Sequence, residues 1–146
     1  MFESYDEKVG NFTSLVNKKM VYFLNSQLGV FDITAEQWQV LLTLSKHNMI
    51  TQKVLSQAVN KDQPTLTRML DILERKSLVE RHVCKEDRRS FSIYITKKGL
   101  ALTEKLTPYI EDIFMKILTG ITEKDLKIYL DVLTKIDNNI TTLSNL

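Results

Sequence analysis

The sequence predicts a mainly α-helical fold with one β-hairpin, and three observations lead to this prediction. Apolar residues recur at intervals of three or four along most of the 146-residue chain, which is the spacing of amphipathic helices. The interval changes to two between residues 79 and 95, where a pair of short strands fits the pattern. The chain contains 4 Gly and 2 Pro, too few for an all-β fold with many turns.

Length and composition indicate one globular domain. The chain is 43% hydrophobic and 26% charged, which allows a core and excludes a fibrous or low-complexity protein. The single cysteine, Cys84, excludes an internal disulfide, and together with 2 His it argues against a zinc site, so we expect no metal and no cofactor. The longest uncharged run, from Met20 to Phe31, is too short and too polar to span a bilayer. We therefore expect a soluble, cytoplasmic protein without a membrane partner.

Two helices are predicted in the first third of the chain. Apolar side chains from Phe2 to Phe23 share one face of a long helix, which is expected to end at Gly29. Thr34 and Gln37 have the spacing of a capping box, in which each side chain bonds the main-chain amide of the other. A second helix is therefore expected to begin there and to run to about Lys46.

Two shorter helices follow, and the second of them has one polar face. Thr51 is a candidate N-cap for the third helix, whose apolar residues are expected to pack inward: Val54, Leu55, Ala58 and Val59. Asp62 and Pro64 suit the start of the fourth helix, since proline lacks an amide that would stay unpaired in the first turn. The expected buried stripe of this helix is Leu66, Met69, Leu70 and Leu73. Its opposite face carries Arg68, Asp71 and Arg75, flanked by Thr65 and Thr67.

A β-hairpin with a charged loop is predicted after the fourth helix. Residues 79–83 and 91–95 alternate between apolar and polar side chains, and the residues between them, Lys85–Ser90, are polar. This part of the chain is also basic: residues 46–98 hold 12 Lys and Arg against 6 Asp and Glu, whereas the rest holds 8 against 12. A basic middle between acidic flanks is typical of a nucleic-acid-binding unit. The alternative is that the charges are scattered by chance, since an excess of this size is not extreme.

Two long apolar helices are predicted at the C-terminal end. Thr96 is expected to cap the fifth helix, which ends at Gly120, and Thr122 begins the last one. The first and last helices carry apolar stripes without an evident partner in a small domain, so dimerisation is the favoured way to bury them. The alternative is that they pack only on each other within one subunit.

Three short helices followed by a hairpin are the elements of a winged helix-turn-helix, in that order. A helix whose apolar stripe is held by two others can present its polar face to the major groove of DNA. A hairpin beside it can place a cationic loop at the phosphates or in the minor groove.

At this point the sequence resembles the MarR family of bacterial transcription regulators. The matching stretch runs from Asp62 to Gly99 and includes Pro64-Thr65-Leu66-Thr67-Arg68 and Leu78-Val79-Glu80-Arg81. Its more specific parts are Asp87-Arg88-Arg89 and Tyr94-Ile95-Thr96-Lys97-Lys98-Gly99.

The resemblance implies a homodimeric, triangular, mainly helical protein with one winged helix-turn-helix per subunit and long dimerisation helices at both ends. We expect a single MarR-like domain over residues 1–146, with about 32–98 as the DNA-binding part and about 1–29 and 97–146 as the dimerisation helices. The resemblance also implies that Arg89 enters the minor groove and that Asp87 orients it.

Further candidate DNA contacts lie at the exposed start of the fourth helix: Gln63, Thr65, Thr67 and Arg68. In the charged loop, Lys85 and Arg88 are candidate phosphate contacts. Thr51 and Gln52 open the preceding helix, where free amides commonly meet a phosphate, and a plain N-cap role for Thr51 is the equal alternative.

Two aromatic residues, Phe12 and Trp38, are expected in the core. They are also candidate ligand-binding residues, because the resemblance implies a pocket between the dimer helices and the winged domain. Cys84 ends a wing strand without a second cysteine to resolve an oxidised thiol, so a structural role is favoured over redox sensing.

The leading interpretation is a sequence-specific transcriptional regulator. It would be a homodimeric repressor that binds a pseudo-palindromic operator in double-stranded DNA and is relieved by a small lipophilic or aromatic ligand. No phosphate-binding glycine loop, catalytic triad order or metal-ligand motif occurs, so we expect neither an enzyme nor catalytic residues. The alternative is a winged-helix module that binds protein without specific DNA binding, and the basic wing argues against it.

Overall fold

A computed structural model describes residues 3–47 and 49–145 of the chain. Phe2, the first residue of the predicted N-terminal apolar stripe, lies outside the described residues. The chain divides into two compact units, Met1–Tyr109 and Ile110–Leu146, and the division falls inside the fifth helix. No helix in the described ranges has the length and apolar character needed to cross a membrane.

The first helical segment changes its hydrogen-bond pattern along its length. It starts as a π-helical stretch, Asp6–Asn11, and continues as α1, Phe12–Leu28. The predicted end at Gly29 is confirmed, but Gly29 itself has a right-handed φ of −56°. The chain passes through a short 3₁₀ turn, Gly29–Phe31, and the left-handed residue that ends this turn is Asp32, with a φ of 54°.

The remaining α-helices begin where the capping residues predict. They are α2 (Ala35–Lys46), α3 (Gln52–Ala58), α4 (Gln63–Arg75), α5 (Lys97–Ile117) and α6 (Glu123–Ser144). The capping box of Thr34 and Gln37 forms, with the Gln37 amide 3.1 Å from Thr34 Oγ1 and the Thr34 amide 3.2 Å from Gln37 Oε1. A second capping box joins Thr122 and Asp125 at the start of α6. These reciprocal bonds satisfy amides that have no partner inside the helix.

The predicted hairpin is part of a three-stranded antiparallel sheet. Its strands are β2 (Val79–Val83) and β3 (Phe91–Ile95), the bounds that the alternation predicts. A third strand, β1 (Met49–Thr51), pairs with the other edge of β3, so that the sheet order is β1-β3-β2. Three residues are too few to show an alternating pattern, which is why the sequence predicted one hairpin and no third strand.

The core of the unit Met1–Tyr109 lies among the helix-turn-helix, the sheet and the flanking helices. Its fully buried side chains include Leu28, Leu41, Leu44, Leu55, Leu66, Leu70, Leu73, Ile93 and Leu106. The predicted stripe of α4 is confirmed, with Met69 8% exposed and its three leucines fully buried. Each buried leucine contributes on the order of 1.5–3 kcal/mol relative to an exposed one. The expectation for α3 was half wrong: Leu55 and Val59 are buried, whereas Val54 is 49% exposed and Ala58 lies at the surface.

The junction between α4 and α5 explains the Ile-Thr-x-x-Gly pattern. Helix α4 ends in a Schellman motif, with Ser77 at a left-handed φ of 61° and the Leu78 amide bonded to the Leu73 carbonyl at 3.0 Å. The Leu78 carbonyl then accepts the Thr96 amide at 3.1 Å, and Thr96 Oγ1 caps α5 by accepting the Gly99 amide at 3.0 Å. A Cβ on Gly99 would lie 2.2 Å from that Leu78 oxygen, so only glycine fits.

Both ends of the chain expose large apolar side chains within a single subunit. In the N-terminal segment they are Tyr5, Val9, Phe12, Leu15, Val16, Tyr22 and Phe23. Helix α6 buries none of its residues, and its exposed apolar residues are Ile128, Tyr129, Leu130, Val132, Ile140 and Leu143. Patches of this kind on a folded protein mark an interaction surface.

Candidate nucleic-acid interface

Helix α4, hereafter the recognition helix, exposes Gln63, Pro64 and Arg68 in its N-terminal half. Asp62 caps it, with its carboxylate accepting the Thr65 amide at 2.7 Å. That hydrogen bond lowers the pKa of Asp62, with further lowering by the Thr65 hydroxyl and by the nearby charges of Arg68 and Lys61. Arg68 is exposed, and its Nη2 donates to Thr65 Oγ1 at 3.3 Å, so these two candidate contacts lie side by side on the outer face.

A chain of hydrogen bonds links α3 to the recognition helix. Gln52 Nε2 donates to Thr67 Oγ1 at 2.8 Å, and Thr67 Oγ1 donates to the Gln63 carbonyl at 2.8 Å. Three predicted DNA-contact residues are thereby brought together. Thr67 and Gln52 fix the spacing of the two helices of the helix-turn-helix, a role that the sequence did not reveal.

Thr51 forms the N-cap bond, while its role as a DNA contact stays a prediction. Its Oγ1 accepts the Val54 amide at 3.2 Å, and its main chain pairs with Ser92 at the end of β1. The same residue therefore closes the sheet and starts α3.

The wing consists of β2, β3 and the loop between them, residues 84–90. Main-chain bonds close this loop: the Cys84 amide donates to the Ser90 carbonyl at 2.9 Å, and the Ser90 amide donates to the Asp87 carbonyl at 3.0 Å. The Asp87 carboxylate accepts the Arg89 amide at 2.9 Å. Asp87 thus acts on the backbone that carries Arg89, which is one way to orient the arginine as the resemblance implies.

The cations of the wing loop all point into solvent. Lys85, Arg88 and Arg89 are exposed, and so is Asp87. Within the described residues, none of these three cations forms an ion pair, so each is available to a polyanion. Cys84 is half-buried, with its Sγ 3.1 Å from Ser92 Oγ across the hairpin, which suits the structural role expected of it.

An ion-pair network that the sequence did not reveal joins the recognition helix to the wing. Arg81 Nη2 lies 2.6 Å from Asp71 Oδ1 and 3.0 Å from Glu74 Oε1, and the Arg81 amide donates to Glu74 Oε2 at 3.1 Å. The side-chain bond from Arg81 lowers the pKa of Glu74, and the same bond raises the pKa of Arg81. Arg75, which is also on this face, uses its Nε to bond the Asp71 carbonyl at 3.4 Å.

The alternation of β2 contained a signal for this network. Arg81 occupies the same strand face as Val79, which is 1% exposed. A cation on the inward face of a strand needs a carboxylate partner, because burying an unpaired charge is costly. The identity of the partners depends on the packing of α4 against β2, which no local pattern specifies.

The two aromatic ligand candidates differ in burial. Trp38 is 7% exposed and belongs to the core as expected, whereas Phe12 is 45% exposed within one subunit, so the core expectation for Phe12 was wrong. A cavity of about 400 Å³ lies in the unit Met1–Tyr109, and neither residue lines it. Its walls are Phe31, Asp32, Ile33, Lys76, Leu78, Lys98, Ala101, Leu102 and Lys105. Among the residues that the structure covers, no cluster of three or more His, Cys, Asp or Glu could hold a metal ion.

Comparison with known proteins connects this architecture to one family. Residues 33–91 match the model of the MarR family. The reduced form of MarR from E. coli is 30% identical over 88% of this chain and 95% of its own, with a TM-score of 0.75. MepR of S. aureus in a DNA complex is 25% identical over 95% of this chain and 99% of its own, with a TM-score of 0.83. A mutant E. coli MarR bound to operator DNA is 29% identical over 92% of this chain and 99% of its own, also with a TM-score of 0.83.

The fold and its exposed cations define a winged helix-turn-helix protein with a candidate nucleic-acid interface. The recognition helix supplies one half of this interface and the wing supplies the other. The chain belongs to the MarR family, a family of transcription regulators, as the 30% identity across nearly the whole length of an E. coli relative shows.

Proposed function

We propose that this protein is a sequence-specific regulator of transcription that binds double-stranded DNA as a homodimeric repressor. The observation that carries the proposal is that exposed arginines, Arg68 on the recognition helix and Arg88 and Arg89 on the wing, stand on two elements tied together by one ion-pair network. The structural similarity to S. aureus MepR in a DNA complex and to E. coli MarR bound to operator DNA supports it.

The proposed roles follow from the groove that each element can enter. The exposed Gln63 and Arg68 and the half-buried Thr65 would face base edges or phosphates in the major groove, and Arg89 would enter the minor groove beside the wing. Lys85 and Arg88 would contact phosphates. Gln52 and Thr67 would hold the recognition helix in place, each keeping polar atoms near the DNA surface.

Dimerisation would bury the apolar faces at both ends of the chain. Exposed residues such as Phe12 and Tyr22 in the first segment and Leu130 and Ile140 in α6 form surfaces too large for a monomer in water. A two-fold dimer would bring its two recognition helices to successive major grooves, so the half-sites of a pseudo-palindromic operator would lie about 10 bp apart. Sedimentation of the full-length protein at micromolar concentration should give twice the mass of one chain, and a folded monomer would contradict the dimer.

A small lipophilic or aromatic ligand that relieves repression is part of the proposal. The cavity beside Phe31 has apolar walls and three lysines, of which Lys76 pairs with Asp32. An aromatic acid suits this lining: the ring would meet Phe31 and Leu102, and the carboxylate would meet Lys98 and Lys105. Such a ligand changes DNA affinity only if it binds the conformation that does not bind DNA more tightly.

The proposed activity is binding alone, with no catalytic residue, and it takes place in the cytoplasm, where bacterial DNA lies. The competing function is a winged-helix module that binds protein without specific DNA recognition. Binding of the full-length chain to bulk double-stranded DNA at several salt concentrations separates the two. A DNA-binding protein releases counterions and loses affinity steeply as salt rises. Absence of salt-dependent binding would favour the protein-interaction module.

A further inference from the structure

We propose that Arg81 is a positioning residue for DNA binding, acting by cancelling the charge of two carboxylates that the recognition helix carries beside its own arginines. This inference rests on the proposed DNA-binding function. It assigns no DNA contact to Arg81 itself, because the side chain is only 20% exposed and its guanidinium is committed to Asp71 and Glu74.

The charge balance of the recognition helix creates the need for such a residue. Within Gln63–Arg75 two arginines, Arg68 and Arg75, are balanced by two acids, Asp71 and Glu74. Taken alone, this helix is therefore neutral. A neutral recognition helix has no net attraction for a polyanion, although phosphate neutralisation supplies much of the affinity of DNA-binding proteins.

Asp71 lies in the same row of side chains as the candidate contacts. It follows Arg68 by three residues and precedes Arg75 by four, which puts all three on one face of the helix. The side chain of Asp71 is 48% exposed and that of Glu74 is 41% exposed, so the charge of both can act on a phosphate backbone laid along this face. Like charges that approach each other across an interface are strongly unfavourable.

Arg81 is placed to reduce this repulsion by pairing with both carboxylates, without contacting DNA itself. One guanidinium nitrogen reaches both carboxylates, at 2.6 and 3.0 Å, and the Arg81 amide fixes the second oxygen of Glu74. The side-chain bond to Glu74 raises the pKa of Arg81, and the lowered pKa of Glu74 is the matching effect on its partner. Because Arg81 belongs to β2, the same contacts also tie the wing to the recognition helix.

The test compares variants of equal net charge. Arg81→Gln leaves both carboxylates uncompensated, and we expect affinity for operator and bulk duplex DNA to fall roughly three- to tenfold, with a smaller salt slope. Adding Asp71→Asn to Arg81→Gln should restore most of that affinity. The matched control adds Glu80→Gln to Arg81→Gln instead and has the same net charge. Glu80 adjoins Arg81 in β2 but pairs with His82, so the affinity of this control for DNA should stay low.

Two further variants separate charge from fold. Arg81→Lys keeps the cation and should retain affinity within about twofold, and Asp71→Asn alone should bind DNA more tightly, with the salt slope steeper by about 1 per subunit. Thermal melting of each variant checks that it is folded. If Arg81→Gln does not fold, Asp71→Asn in the presence of Arg81 still decides the matter, because a loss of affinity there would overturn the inference.

Two sets of results would overturn the inference. Equal recovery with Glu80→Gln and with Asp71→Asn, or undiminished binding by Arg81→Gln, overturns it while the DNA-binding function stands. If the wild-type protein shows no salt-dependent binding to duplex DNA, the proposed function fails first and the inference fails with it.

Discussion

Gln52 Nε2 donates a 2.8 Å hydrogen bond to Thr67 Oγ1, which joins the first residue of α3 to the N-terminal half of the recognition helix. Both residues were predicted as DNA contacts because they lie near helix starts, and both are half-buried. The structure shows that they are also partners of each other, so the protein fixes the angle of its helix-turn-helix with side chains beside the interface.

Removing this bond should destabilise the fold modestly. Thr67→Val deletes the hydroxyl while keeping the shape of the side chain, and we expect the free energy of unfolding to fall by about 0.5–1.5 kcal/mol. Thr67→Ser keeps the hydroxyl and is the matched control. In urea titrations the double variant with Gln52→Ala should cost less than the sum of the two single variants, because the bond can be lost only once. Strict additivity would show that the two side chains are energetically independent.

Gly99 should be the glycine least tolerant of substitution. Gly99→Ala places a Cβ 2.2 Å from the Leu78 carbonyl, and the first turn of α5 must shift to relieve that clash, so we expect at least about 2 kcal/mol of destabilisation. Gly29→Ala is the control, since its Cβ would meet no atom within 4 Å and its φ is right-handed. That variant should be neutral or more stable by up to about 1 kcal/mol. Equal denaturation midpoints for the two variants would contradict the close approach at Leu78.

Acid should weaken the link between the recognition helix and the wing. The pKa of Glu74 is lowered from its ordinary 4.5 by the hydrogen bond from Arg81, so the folded state binds this proton less readily than the unfolded state. The stabilisation is complete above pH 4.5 and is lost as the pH falls through the lower, folded-state value. Urea titrations from neutral pH downward should show a smaller decrease in unfolding free energy for Glu74→Gln than for the wild type. Identical pH profiles would show that Arg81 does not stabilise the charged form of Glu74.

The cavity lysines should select for acids. An aromatic monocarboxylate such as benzoate should bind, and Lys105→Gln should weaken its binding roughly tenfold, since a charge-assisted hydrogen bond would be lost. Isothermal calorimetry with benzyl alcohol, which lacks the charge, gives the ligand control, and Lys53→Gln in α3 gives the protein control. Binding that is insensitive to Lys105 would place the acid elsewhere.

Local patterns in the sequence predicted most of the fold. The N-caps at Thr34, Thr51, Asp62 and Thr122 were all confirmed, because a capping bond spans only three residues and its partners are fixed by sequence spacing. The hairpin bounds were correct for a related reason: alternation over five residues is enough to define a strand that is buried on one face.

Features that depend on distant residues were missed. Strand β1 exists because Met49 pairs with Tyr94, 45 residues along the chain. The partners of Arg81 follow from the packing of a strand on a helix, seven and ten residues away in sequence. Val54 was misjudged because its helix, seven residues long, buries only part of its surface. The candidate interface was therefore predictable as a set of exposed cations, whereas the contacts that position those cations were not.

The roles proposed for Arg68 and Arg89 differ in sequence dependence. Arg68 is proposed to read base edges, so Arg68→Ala should cost about 1–3 kcal/mol per site on the operator and much less on scrambled DNA. Asp87→Ala removes the carboxylate that bonds the Arg89 amide and should give a mild, sequence-independent loss, because the arginine keeps its charge but its loop is less ordered. Fluorescence anisotropy with both DNA sequences measures each effect. A loss for Arg68→Ala that is equal on operator and scrambled DNA would make Arg68 a phosphate contact.

The central claim, that recognition helix and wing together bind DNA, is tested most directly by Arg89→Ala. Its affinity for operator and scrambled duplexes should be measured at several salt concentrations beside the wild type. We predict that both affinities fall by similar factors, since minor-groove recognition depends mainly on shape and potential, and that the salt slope decreases by about 1 per wing. Unchanged affinity and unchanged slope on both duplexes would show that the wing does not touch DNA and would contradict the account.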